Sequence, residues 1–120
     1  MNAEKAIEAH RKWKERFYIA MQKREHLNVA EILADNCCEF GQWLHGEAKE
    51  KFGHLASYRT CVELHAAFHQ EAGKVAQDIN TGNFLEANKK MVMLNAPYAQ
   101  ASGALSVGVV AMFQEVTTLK

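Results

Sequence analysis

The chain has 120 residues, of which 48% are hydrophobic, 14 are basic and 14 are acidic. This length predicts one domain over residues 1–120, and the apolar content argues against a disordered chain. The balanced charge gives no basic surface of the kind that binds nucleic acid or an anionic membrane, so we expect neither as a partner.

One proline and seven glycines favour helices over a turn-rich β architecture. The N-terminal stretch is charged and has no apolar signal core, and the weakly polar run 101–113 is shorter than the roughly 20 residues that span a bilayer. Three cysteines, an odd number, do not fit a disulfide framework. We therefore expect a cytoplasmic protein in a reducing environment.

The first predicted helix runs from Ala3 to about Arg24. Its apolar residues recur at helical spacing, at Ile7, Trp13, Phe17 and Met21. Because His10 lies on the same stripe, we expect its imidazole to point into the core.

A capping box at 28–31, with Asn28 as N-cap and Glu31 reaching back, predicts a short helix to about Ala34. Asp35 or Asn36 is expected to cap a further helix that runs to Phe52. On its wheel Cys37 and Cys38 lie about 40° and 60° to either side of Gly41, on the stripe formed by Gly41, Leu44, Ala48 and Phe52. Both thiols can face the core, and periodicity does not choose between them.

The next predicted helix runs from Leu55 to about Thr81, and its seam has the 3.5-residue spacing of packed bundles. The seam consists of Tyr58, Val62, His65, His69, Ala72, Ala76 and Ile79. Histidines at i and i+4 place two imidazoles on one face, within reach of one metal ion. The alternative is a pair of core histidines bonded to side chains or water.

The last helix is predicted from Phe84 to Leu119, with a second capping box at Asn83 and Glu86 and a kink at Pro97. Its apolar face is Ala87, Met91, Leu94, Tyr98, Ala101, Leu105, Val109, Met112 and Val116. The predicted fold is all-α: an antiparallel four-helix bundle with an extra short helix.

Three helices thus place a metal ligand inward: His10, one cysteine of the 37/38 pair, then His65 and His69. One thiolate with three imidazoles matches tetrahedral zinc, and four protein ligands leave no open position for substrate water. His45 is an alternative ligand, whereas His54 is expected in solvent and Cys61 in packing.

Catalytic motifs are absent from the sequence, and the acids of the long helix lie off the histidine stripe. We therefore expect no enzyme. One alternative is a helical-bundle metal enzyme with three histidine ligands and an open zinc or nickel position. Another is a structural dimerisation module, in which the small residues 101–104 permit close contact with a second subunit.

A family resemblance rests on three stretches that follow one another along the chain. They are "HRKW" with His10 and Trp13, "CEFGQW" with Cys38, Phe40, Gly41 and Trp43, and "HAAFH" with His65 and His69. The chain resembles the chemoreceptor zinc-binding (CZB) domain. The resemblance implies one Zn²⁺ held by His10, Cys38, His65 and His69. Cys37 is then a neighbour of the ligand Cys38, and we expect it to be buried. The resemblance also suggests why residue 41 is glycine, because a side chain there would push the histidine helix away from the metal.

Members of that family are usually attached to bacterial chemoreceptors or diguanylate cyclases. The resemblance implies a non-enzymatic, often homodimeric sensor of zinc or of oxidants such as hypochlorous acid, which act at the zinc thiolate. The sequence contains no signalling or cyclase domain, so we expect such a partner in cis or in trans. We further expect residues 28–34 and the Cys38 helix to respond to metal loss.

Overall fold

The computed structural model describes residues 1–118 of the chain. Helices are the only regular secondary structure in this range, so the predicted all-α class is confirmed, while the antiparallel order of four main helices stays a prediction. The predicted end of the last helix at Leu119 lies outside the described residues. The helices are α1 (Ala3–Lys23), α2 (Val29–Leu33), α3 (Glu39–His45), α4 (Glu47–Phe52), α5 (Ala56–Asn80), α6 (Phe84–Val92) and α7 (Pro97–Thr118).

Helix α1 begins and ends with local signals that its sequence carries. The Asn2 side chain accepts a hydrogen bond from the Lys5 N–H at 2.8 Å, and Arg24 adopts a left-handed conformation at the other end. The inward face buries Phe17 and, as expected from the stripe, His10. This helix therefore carries one candidate ligand into the core.

Helix α2 is held against α5 by contacts at both of its ends. Asn28 caps it by accepting the Glu31 N–H at 3.1 Å, as predicted. Just before it, the backbone of Leu27 exchanges two hydrogen bonds, of 2.8 and 2.9 Å, with the side chain of Asn80. At its other end Leu33 packs so closely on Gly73 that a Cβ there would overlap the leucine side chain. These contacts fix α2 against the C-terminal half of α5.

The single helix predicted from residues 35 or 36 to Phe52 is wrong. Residues 35–38 form turns, Cys38 is the N-cap of α3, and the helix is interrupted at Gly46 before α4 begins. The reason is local, because a residue at an N-cap leaves the helical conformation so that its side chain can accept a backbone N–H. Cys38 makes this bond with the Gly41 N–H at 3.2 Å.

Helix α5 runs through the centre of the fold and packs against α7, α2, α6 and α1. It ends before Gly82, whose positive φ of 80° suits glycine. The expected kink at Pro97 is a full break: α6 ends at Val92 and Pro97 is the first residue of α7, where its missing N–H costs nothing. Leu94, predicted on the apolar face, lies in this break and is 90% exposed.

An aromatic cluster of Phe17, Phe68 and Tyr98 joins α1, α5 and α7 in the core. Phe68 also lies beside the histidines of α1 and α5, at ring-centroid distances of 5.2 Å to His10 and 5.6 Å to His69. The apolar core therefore supports the polar cluster described next. None of the helices among residues 1–118 combines the length and the apolarity needed to cross a membrane.

Candidate metal centre

His10, Cys38, His65 and His69 come together between α1, the start of α3 and the middle of α5. One potential ligand atom from each lies within 4.8 Å of all the others. The three histidines are 6%, 0% and 1% exposed, whereas Cys38 is partly exposed. Four soft or borderline donors thus converge in an apolar interior, where polar groups are costly unless they have partners.

Two backbone carbonyls orient the outer nitrogens of His10 and His69. The Nδ1 of His10 lies 2.7 Å from the Ala6 carbonyl oxygen, and the Nδ1 of His69 lies 2.8 Å from that of Ile32. A carbonyl only accepts, so each Nδ1 carries the proton and each Nε2 keeps a lone pair. Such a bond selects the tautomer that a metal-binding histidine needs.

The inner donor atoms crowd one another in a way that suits a cation. His65 Nε2 lies 3.0 Å from His69 Nε2, and Cys38 Sγ lies 3.4 and 3.5 Å from these two nitrogens. Around a tetrahedral zinc ion the corresponding separations are about 3.3 Å between nitrogens and about 3.6 Å between sulfur and nitrogen. Within the described residues, the buried Nε2 of His10 has no hydrogen-bond partner. The donor set therefore fits zinc.

Burial keeps the three histidines neutral, which is the form that binds a metal. Desolvation lowers the pKa of His10 to about 4 and that of His65 to about 2, and it also lowers the pKa of His69. Their mutual repulsion adds to the effect at His10 and His65. No proton competes for these nitrogens near pH 7.

Cys38 has the opposite requirement, because its ligating form is the thiolate. Burial raises the pKa of its thiol, while hydrogen bonds from backbone groups at Gly41 and Phe40 partly oppose the rise. A divalent metal displaces such a proton, so binding at this site releases one proton from sulfur.

The four further residues predicted around the site all lie close to it or to its aromatic wall. Phe40 meets both His10 and His65 edge to face at 5.5 and 5.1 Å, and Trp13 meets His69 at 6.1 Å. Trp43 lies 5.9 Å from Phe40 and stacks on Phe113 of α7 at 5.4 Å. These aromatic rings lower the local dielectric around the ligands.

Gly41 is buried, but the expected reason for it is wrong. A Cβ at this position would overlap the carbonyl oxygen of Asp35 and approach the Cα of Asn36 to 3.2 Å. The constraint comes from the turn before Cys38 and not from the histidine helix. Glycine thus lets the chain fold back closely enough to place Cys38 at the start of α3.

The structure separates the two neighbouring thiols that the wheel left equal. Cys38 joins the cluster, whereas Cys37 is exposed, so the expectation that it is buried is wrong. His45 is also outside the cluster and pairs with Asp35, with 3.2 Å between Nε2 and Oδ2. His54 is exposed and Cys61 is buried in the apolar core, as expected.

Three groups that support the site were missed from the sequence. They are the carbonyls of Ala6 and Ile32, which orient two histidines, and Gly73, which lets α2 approach α5. The Ala6 carbonyl lies one helical turn before His10, so helix geometry alone indicates it. No local pattern indicates the other two, since they depend on how α2 docks.

Comparison with protein families gives one result that agrees with this geometry. The model of the chemoreceptor zinc-binding domain matches residues 10–76, which include all four members of the cluster. No curated protein and no solved structure matches the chain. The match covers more than half of the 120 residues, and the cluster is compatible with one zinc ion. The chain therefore belongs to the chemoreceptor zinc-binding domain family.

Proposed function

We propose that this chain is a zinc-binding regulatory domain that holds one Zn²⁺ through His10, Cys38, His65 and His69. The observation that carries the proposal is the convergence of four donor atoms within 4.8 Å in a largely buried site. The carbonyls that orient His10 and His69 support it, because they leave the inner nitrogens free to bind.

The sensing element is Cys38, which is the most exposed residue of the set. Zinc, when bound, keeps this sulfur as a thiolate. Since Cys38 is partly exposed while the three histidines are buried, an oxidant such as hypochlorous acid reaches sulfur first. Oxidation or zinc depletion weakens the hold on Cys38, and the start of α3 is then released from α5.

The output is regulation and not catalysis. Four protein ligands complete a tetrahedral zinc site and leave no position for a substrate or an activated water. The domain extends over residues 1–120, because α7 packs along α5 outside the matched region. It works in the cytoplasm, where the exposed Cys37 stays reduced, and controls a chemoreceptor or cyclase domain in cis or in trans.

Zinc affinity of two adjacent cysteine variants tests this assignment. We expect the wild-type chain to bind one equivalent, Cys38→Ala to lose about 100-fold or more in affinity, and Cys37→Ala to bind as wild type does. Competition with a chelator of known affinity measures this. One equivalent bound tightly by Cys38→Ala would support a three-histidine enzyme site instead. No zinc in the wild type would support a purely structural module.

We also propose that the domain forms a homodimer through the outer face of α7. From Pro97 to Gln114 this helix has no charged residue, and its exposed side includes Val107, which is 71% exposed, and Val110. Among residues 1–118, a Cβ on Gly103 would meet open space, so packing within the described part of the chain does not require glycine there. A second copy is the partner that fits, because an uncharged face is matched by another of the same kind.

Sedimentation of Val107→Lys tests the dimer. The lysine places one charge in each half of the contact, so we expect the variant to be monomeric at a concentration where the wild type is dimeric. The matched control is Thr60→Lys, an exposed position on α5. A wild-type monomer, or a dimer that Val107→Lys leaves intact, would exclude this face.

A further inference from the structure

A small cavity beside the metal centre connects it to solvent. Its volume is about 150 Å³, which is room for a few water molecules, and two of its walls are Cys38 and His69 of the cluster. The remaining walls are Trp13, Arg16, Glu31 and Cys37. The cavity thus reaches two of the four donor residues from outside.

Two further residues that line this cavity are of types that bind zinc in proteins. Glu31 and Cys37 are both exposed, and carboxylate and thiolate are common zinc ligands. Neither belongs to the cluster of four. Cys37 adjoins Cys38 in the chain, and Glu31 adjoins Ile32, whose carbonyl bonds His69. Each outer donor is therefore next to a residue that makes or orients the inner site.

We propose that Glu31 and Cys37 form a transfer site, through which a zinc ion enters and leaves the buried centre. An ion arriving with its water shell must lose those waters before three buried imidazoles can bind it. The outer carboxylate and thiol would replace part of the shell one ligand at a time, with the thiol losing its proton to water, before the ion passes to Cys38 and His69. This inference rests on the proposed zinc site and concerns the rates of exchange there.

The charges at the mouth explain why the ion does not stay in this outer position. The guanidinium of Arg16 is another wall of the cavity, held over the Trp13 ring at 4.5 Å from its centroid. Its positive charge opposes a divalent cation, and two protein ligands are too few for a stable zinc site. The outer groups therefore lower the barrier for exchange without adding to the affinity.

Zinc exchange kinetics of the double variant Glu31→Gln, Cys37→Ser test the proposal. Uptake by the metal-free chain and release to excess chelator are both expected to slow by roughly tenfold, which corresponds to about 1.4 kcal/mol in the barrier. The equilibrium affinity is expected to stay within about twofold of the wild type, because a transfer site changes both rates alike. Glu39→Gln is the matched control, since it is a first-turn acid beside Cys38 that does not line this cavity.

Each other outcome contradicts the transfer site. Rates equal to those of the wild type would exclude it. Faster release with weaker affinity would make the outer groups part of the resting site, and a second tightly bound equivalent in the wild type would make them a separate one. If the wild-type chain bound no zinc, both the proposed function and this inference would fail. If the wild type bound zinc and the double variant exchanged it at the same rates, the transfer site would be excluded and the proposed function would stand.

Discussion

Helix α5 and the segment of residues 28–46, which we call the Cys38 segment, supply the site in opposite ways. Helix α5 is 25 residues long, and its geometry alone sets His65 and His69 one turn apart. The Cys38 segment contains α2 and α3, of 5 and 7 residues, which are too short to be stable by themselves. The two donors on α5 are therefore set by local geometry, whereas the position of Cys38 depends on contacts made across the fold.

Specific contacts hold the Cys38 segment to α5. The Tyr58 hydroxyl donates to the Leu44 carbonyl at 2.8 Å, and His69 Nδ1 donates to the Ile32 carbonyl at 2.8 Å. Apolar packing of Leu33 against Gly73 adds a third point. A metal bound by residues of both regions adds direct links between Cys38 and α5. This difference predicts that metal binding orders the segment more than the helix.

Acid gives the largest expected effect, because the three buried histidines lie where the two regions meet. Their pKa values are lowered in the folded state, to about 4 at His10 and about 2 at His65, so the unfolded chain binds more protons below about pH 6.5. Stability of the metal-free protein is thus full above that pH and lost as the pH falls. Each histidine contributes up to about 1.4 kcal/mol per pH unit. Urea unfolding between pH 7 and pH 4.5 measures the slope.

Two variants assign that slope to the buried cluster. We expect His65→Leu to reduce it by the share of one histidine, and Val75→Ala, a buried apolar position on the same helix, to lower the stability but keep the wild-type slope. A free energy of unfolding that does not change between pH 6.5 and pH 4.5 would show that these imidazoles are not held neutral by burial.

Glycine to alanine changes at two positions test the Cys38 segment at its tightest point. At Gly41 the added Cβ meets the Asp35 carbonyl, so the turn before Cys38 must shift. We expect a loss of about 1–3 kcal/mol in stability, together with weaker zinc binding. At Gly103 the Cβ meets open space, so alanine should stabilise α7 by up to about 1 kcal/mol and leave zinc binding unchanged.

Thermal unfolding and zinc titration of both variants measure these effects. Wild-type zinc affinity in Gly41→Ala would mean that the turn adapts freely and that Gly41 has no part in positioning Cys38.

The same contrast explains how far the sequence predicts the structure. The pattern of α5 predicts its extent and its inward histidines, because a long helix follows from periodic residues alone. After the short helix at 28–34, the sequence predicts one helix capped at Asp35 or Asn36 and running to Phe52, since an apolar 3.6-residue period continues through this range. An apolar period indicates neither the interruption at Gly46 nor the N-cap role of Cys38, which rests on the close turn of residues 35–38 against Gly41. Pro97 marked a discontinuity correctly, although its size, a break of four residues at 93–96, depends on the packing of α7.

The most direct test is hydrogen exchange with and without zinc, which shows whether the metal links Cys38 to the histidines that α5 positions by itself. The account predicts that zinc removal speeds exchange of amides in residues 29–44 by about tenfold or more, while residues 68–79 of α5 keep their protection. Cys37→Ser should behave as the wild type, and Cys38→Ser should resemble the zinc-free state whether or not zinc is added. Equal protection of residues 29–44 with and without zinc would contradict the account.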